Sequence, residues 1–235
     1  MSYQARRGKH PDDGRLFSAE AIEKLKLAAE EMAWLTGRDY APAIVNELVG
    51  AHHALDPRQK VALLRGTCSE PQYRRRAARE LELEDIAKRP LSVDVLDVVI
   101  IAETALAGGL LLQTLDGTVR DVDGAPGAYE PSAETPRAIE LVLDVLKEAK
   151  PAPLKLFFDE RVADIARLRD LVVDQAKAKK LKVEAVVTPD AAAALRKEKC
   201  VASSDSGVLD RCASWFNLSG RTIERVPAAW IVKLQ

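Results

Sequence analysis

The apolar positions change their period near residue 90. Before it they recur every three or four residues, the spacing of amphipathic helices. Ile22, Leu25, Ala29 and Met32 mark a first helix that Ser18 can cap and Gly37 can end. Ile44, Val45 and Leu48 mark a second, over residues 41–51. Asp56 followed by Pro57 starts a third, because proline at the first helical position gives up an N–H that has no partner there. Its expected buried stripe is Val61, Leu64 and Cys68, which leaves Arg58 and Arg65 facing solvent. Ser69-Glu-Pro-Gln72 reads as a capping box into a fourth helix over residues 73–83. The polar residues 1–17, with Pro11 and Gly14, are expected to form a flexible arm.

From Leu91 short apolar runs alternate with helical ones, the pattern of parallel strands joined by crossover helices. Strands are predicted at 91–95, 154–158, 182–187, 200–202 and 229–234. Asp116-Gly117 sits between apolar runs at 110–115 and 118–122 and predicts a hairpin. Residues 125–136, with three prolines, read as a loop. Helices are predicted at 137–149, where Ile139, Val142, Leu143 and Leu146 share a face, and at 163–179, where Ile165, Leu168, Val172 and Ala176 do. A short helix starts at Thr188-Pro189, and another covers 208–215. The fold class expected is α/β, a three-layer α/β/α domain with a mainly parallel sheet over residues 90–235, preceded by a small all-α domain over residues 18–89.

Composition adds a charge asymmetry. The 47% apolar and 30% charged residues are those of a globular protein, and the net charge is −1. Residues 55–79, however, hold seven Lys or Arg against two acids, whereas residues 90–235 hold 19 basic and 22 acidic residues. A basic segment beside an acidic one suits a nucleic-acid grip next to a metal site, with Arg58, Lys60, Arg65, Arg74, Arg75 and Arg76 as the RNA-binding set. Cys68, Cys200 and Cys212 stand far apart without a CxxC pair, which argues against a zinc or disulfide framework. No apolar run approaches the ~18–20 residues that span a bilayer, and no apolar leader opens the chain; a cytoplasmic protein with no membrane partner is expected.

The chemistry concentrates on acids at predicted strand ends. Asp94, Asp159 and Asp205 each follow a strand, and in open parallel sheets ligands bind beyond the carboxyl ends. Carboxylates gathered on one rim are the hard oxygen ligands that Mg²⁺ or Mn²⁺ takes. The plainer reading of each acid is a helix cap. Asp97 and Glu103 depend on where the first strand stops. If it runs to Ile101, Asp94 and Asp97 point to opposite faces. If it stops near Val95, Asp97 caps a helix through Leu106 that Gly108 ends, and Glu103 lies within reach of the rim. The helix is favoured, because a strand would bury Asp97.

Leu91-Ser-Val-Asp-Val-Leu-Asp-Val-Val-Ile-Ile-Ala-Glu103 resembles the Asp-Gly-Tyr/Phe-Asn-Val segment that opens PIN-like nucleases of the NYN type. Phe157-Phe158-Asp159 is similar to their middle strand end, and Ser203-Ser204-Asp205-Ser206 to their later Ser/Thr-x-Asp segment. The chain order, including Asn46-Glu-Leu-Val-Gly50, Arg58-Gln59 and Arg120-Asp121, resembles a prokaryotic family that joins a small helical domain to a PIN-like one. The resemblance implies a Mg²⁺- or Mn²⁺-dependent ribonuclease with Asp94 and Asp205 as the catalytic acids and principal metal ligands, and Asp97, Glu103 and Asp159 in support. Val95 stands in place of the motif's glycine, Asp97 in place of its asparagine, and Gly207 where a second acid is usual, with Asp210 one helical turn on. These departures keep open an alternative, a non-catalytic RNA-binding or ribonucleoprotein accessory protein.

Other groups carry less. Adjacent side chains diverge on a helix, so His52 and His53 suit a surface or RNA-contact role better than a shared site. Ser203, Ser204 and Ser206 lack a nucleophile elbow and read as caps or phosphate contacts. Asp121-Val-Asp123 follows the hairpin and reads as a turn, with a Toprim-like metal pair as the alternative.

Overall fold

The computed structural model describes residues 8–123 and 127–235; residues 1–7 of the expected arm and two residues of the expected loop at 125–136 lie outside it. Five helices open the chain: α1 (Asp13–Leu16), α2 (Ala19–Thr36), α3 (Pro42–His52), α4 (Pro57–Gly66) and α5 (Glu70–Ala77). Ser18 caps α2 as expected, its hydroxyl accepting from the Ala21 N–H. Asp56 and Gln59 form a capping box at α4, and Ser69 and Gln72 another at α5. Residues 11–17 differ from a flexible arm: Asp13, Leu16 and Phe17 are buried.

Two helices are rotated from their expected faces. On α4 the buried stripe is Gln59, Ala62, Leu63 and Gly66, with Val61 and Leu64 each 42% exposed. On α3, Val45 and Val49 are buried while Ile44 and Leu48 face outward. Small residues decide the α4 face: a side chain at Gly66 would collide with Leu234, so this turn packs against the end of the chain.

After α5 come β1 (Glu80–Leu81), α6 (Leu83–Ile86), β2 (Leu91–Asp94), α7 (Val95–Leu106), and the hairpin β3 (Leu110–Gln113) and β4 (Val119–Asp121). The strand at Leu91 stops at Asp94 and α7 starts at once, so the helical alternative is the observed one. The remainder is α8 (Thr135–Ala149), β5 (Leu154–Asp159), α9 (Ile165–Ala178), β6 (Glu184–Thr188), α10 (Ala191–Leu195), β7 (Cys200–Ala202), α11 (Ser206–Leu209), β8 (Ser214–Phe216), α12 (Leu218–Ile223) and β9 (Trp230–Lys233). The helix expected at 208–215 is therefore cut short: residues 214–216 form a strand whose Trp215 is fully buried.

The protein is α/β, with a six-stranded parallel sheet of order β1-β8-β7-β2-β5-β6 flanked by helices, preceded by a helical region. Side chains alternate across the sheet. Val93, Leu156, Phe158 and Ala202 pack under α7, α8 and α9. Phe157, Val201 and Trp215 pack on the other face against Leu195 of α10 and Val208 of α11. Antiparallel β3–β4 and parallel β3–β9 make a separate three-stranded sheet. Leu110 and Leu112 of β3 and Val232 of β9 share one core with Leu25, Met32, Val45 and Leu63 of the N-terminal helices. Among the described residues no helix is long and apolar enough to cross a membrane.

Candidate active site

The chain builds from β2 outward through β5 to β6, then returns across the sheet to β7 on the other side of β2. That reversal leaves a crevice beyond the carboxyl ends of β2 and β7, the place where open α/β sheets receive ligands. A cleft of about 390 Å³ opens there, lined by Asp94, Asp97, Asp159 and Asp205 and by Arg65, Arg120 and Arg161. Four of the five acids expected as metal ligands thus meet at one cleft.

Asp94 ends β2 and is itself the N-cap of α7, accepting from the Asp97 N–H at a long 3.5 Å. The expected cap, Asp97, lies one turn further in. The turn needs no glycine, because Val95 enters the helix directly and its side chain is buried. Asp97 is gripped by the loop after β7: its Oδ2 accepts from the Ser204 N–H and its Oδ1 from the Ser204 hydroxyl, each at 2.6 Å. The Ser203 hydroxyl donates to Asp94 Oδ2 at 3.3 Å and accepts from the Asp205 N–H at 3.2 Å. Asp205 caps α11 through Oδ1 and the Val208 N–H at 2.8 Å. The serines expected as caps or phosphate contacts therefore clamp the acids together across adjacent strands.

Burial, with the charge of Asp97 close by and that of Asp205 beyond it, pushes the Asp94 carboxyl up to about 8. Burial also raises Asp97, against the opposing pull of its bonds to Ser204. Asp159 behaves differently. Arg161 forks onto it through Nε and Nη2, at 2.9 and 2.6 Å, and the Arg161 and Ala191 N–H groups donate to it as well, so its carboxyl is held below the usual range. Asp159 is an anchor for Arg161, whose side chain is 59% exposed at the cleft mouth.

Glu103 lies away from the rim. It is fully buried, with the Tyr129 hydroxyl donating to Oε1 at 2.7 Å and the Thr135 hydroxyl bonded to the same oxygen. Six residues beyond Asp97, it sits about 9 Å further along the helix axis and on another face. Asp210 is likewise turned away, onto Arg76 and Gln72.

The basic set expected to grip RNA is mostly engaged within the protein. Arg58 bonds Asp13 and Asp123, Arg65 bonds Asp121, and Lys60 bonds Glu47. Arg76 is buried against Asp116 and Asp210. Arg74, paired with Glu70, and Arg75 remain exposed. Sequence patterning missed Arg120 and Arg161 as cleft residues, while Arg65, expected on the RNA-binding surface, and Asp121, read as a turn, line the cleft as well. Arg120 is buried; its Nε donates to the Ser204 carbonyl at 2.8 Å and its Nη1 to the Arg65 carbonyl, so it braces the loop that carries Asp205.

Among the described residues, no three carboxylates of the cleft bring an oxygen each within 4.8 Å of one another, so as they stand at most two of these acids would share one ion. Mg²⁺ holds several waters and is bound through one or two carboxylates plus substrate phosphates, and a two-acid site fits it.

Residues 83–221 match the family described as a domain of unknown function, DUF5616, and residues 24–79 match one described as a protein of unknown function, DUF434. The first match spans more than half of the chain, so the chain belongs to the DUF5616 family. The chain is similar to an uncharacterised protein of Methanocaldococcus jannaschii, 23% identical over 189 residues that cover 80% of this chain and 89% of that protein. No solved structure matches it.

Proposed function

We infer that the protein is a Mg²⁺- or Mn²⁺-dependent ribonuclease. The observation that carries this reading is the convergence of Asp94, at the end of β2, and Asp205, in the loop after β7, on one cleft, linked by the Ser203 hydroxyl, where burial raises the Asp94 carboxyl and no bonded cation offsets it. A divalent ion bound there would polarise a phosphodiester and lower the pKa of an attacking water. Asp94 and Asp205 would hold it, Asp97 with Ser204 would fix the β7 loop, and Arg161 at the mouth would meet a substrate phosphate. A cytoplasmic location and RNA as partner belong to the same proposal. The test is cleavage of end-labelled RNA with Mn²⁺: the wild type is expected to cut, and Asp94→Asn to lose at least about a hundredfold in rate. Equal cleavage by the variant would remove Asp94 from the chemistry.

The second reading, a non-catalytic RNA-binding accessory protein, draws on Asp97, both of whose oxygens are taken by Ser204. It predicts RNA binding that is unchanged in Asp94→Asn, with no Mn²⁺-dependent cleavage by either protein.

A further inference from the structure

Two of the chain's three histidines meet on the helical region, far in sequence from the acidic cleft. On a continuing helix adjacent side chains diverge by about 100°, and His52 and His53 were expected to do so. The helix instead stops between them: α3 ends at His52, His53 is its C-cap with φ −87° and ψ 6°, and Ala54 turns left-handed at φ 45°. The two rings then lie 4.9 Å apart, edge to face. Glu31, from α2, reaches the same place, its Oε2 2.9 Å from His53 Nε2. One donor atom from each of Glu31, His52 and His53 lies within 4.8 Å of the other two.

We propose that Glu31, His52 and His53 form a binding site for a borderline transition-metal ion of the Zn²⁺, Co²⁺ or Ni²⁺ class. Two imidazoles and one carboxylate are a donor set of the kind that zinc takes, leaving a fourth position to water. Zinc bonds of ~2.0–2.1 Å hold neighbouring donors about 3.4 Å apart. The Glu31–His53 pair is already near that spacing, and the exposed Glu31 and His52 side chains can turn to complete it. A second feature favours a cation. The 11-residue α3 ends at His52, so the negative end of its dipole lies beside these side chains. The ion would tie α2 to α3. The site is separate from the cleft, whose oxygen-only donors suit a hard ion instead.

The experiment is a Zn²⁺ titration of the full chain followed by two-bond ¹H–¹⁵N correlation of the imidazoles, with only three histidines to assign. His52 and His53 are expected to shift together and saturate at one equivalent, while His10 stays in place. His53→Ala should weaken Zn²⁺ binding by at least about tenfold, and His10→Ala should leave it unchanged. The His53 side chain is only 12% exposed, so circular dichroism checks that His53→Ala keeps the fold. Zinc held in the acidic cleft would leave all three imidazole signals unmoved. That result, equal movement of all three histidines, or unaltered binding in His53→Ala would overturn the proposal.

Discussion

The protein buries two clusters of acids, and their surroundings treat the charge in opposite ways. In the hairpin turn, Asp116 is almost fully buried between Arg76 and Arg120 and accepts from the Thr114 and Thr118 hydroxyls, while Arg76 also pairs with Asp210. Despite the cost of burial, those guanidiniums hold the Asp116 carboxyl well below its usual range. At the cleft, Asp94 and Asp97 are gathered with Asp205, their hydrogen bonds come from serines and backbone, and both carboxyls rise. The first cluster is complete as it stands and holds elements together. The second is a charge arrangement that a bound cation would complete, and acids whose burial is left unbalanced are what functional sites contain. Arg120 joins the two, paired with Asp116 on one side and bracing the Ser204 loop on the other.

Removing a cation from the balanced cluster should have the largest effect. Arg76→Ala leaves Asp116 short of its closest partner and unpairs Asp210; a loss of about 3–5 kcal/mol is expected in urea denaturation. A loss under about 1 kcal/mol would show that water or Arg120 replaces Arg76.

Acid should then expose the same cluster. The folded Asp116 carboxyl lies below its unfolded value, so its stabilisation is fully present above about pH 4 and is lost as pH falls through the folded value. Stability measured from pH 6 down to pH 2 should fall less steeply in Asp116→Asn, which starts lower. Parallel curves would take the acid response away from this cluster.

The cleft should respond with the opposite sign. The folded Asp94 carboxyl is raised, so the charged form costs stability above the unfolded value of about 4 and most of all at pH 8 and beyond. In metal-free buffer at pH 8, Asp94→Asn should be more stable than the wild type by about 1–2 kcal/mol, while losing Mn²⁺-dependent cleavage. A destabilised variant would mean that its capping of α7 outweighs the buried charge.

Periodicity and strand-end acids made much of this legible. Strand ends at Asp94 and Asp159, the strand 200–202 that leads to Asp205, the parallel sheet, and the inward face Ile165, Leu168, Val172 and Ala176 all follow from local pattern. What failed were choices that only tertiary partners make. The face of α4 turned because Gly66 lets Leu234 approach, and no local rule sees that contact. Arg58, Arg65 and Arg76, read as part of an RNA surface, are engaged within the protein by Asp13, Asp116, Asp121, Asp123 and Asp210, acids distant from them in sequence. Glu103 was misplaced because hydroxyls of Tyr129 and Thr135 satisfy a carboxylate as well as a rim would. His52 and His53 were separated by a helical rule that ceases to apply at the last residue of α3.

Asp94 and Asp205 are proposed to hold one divalent ion together. Electron paramagnetic resonance of Mn²⁺ titrated into protein carrying His52→Ala, which removes a ligand of the proposed second site, tests this directly. One Mn²⁺ per chain is expected, lost in both Asp94→Asn and Asp205→Asn; one Mn²⁺ still bound in either variant would contradict the account.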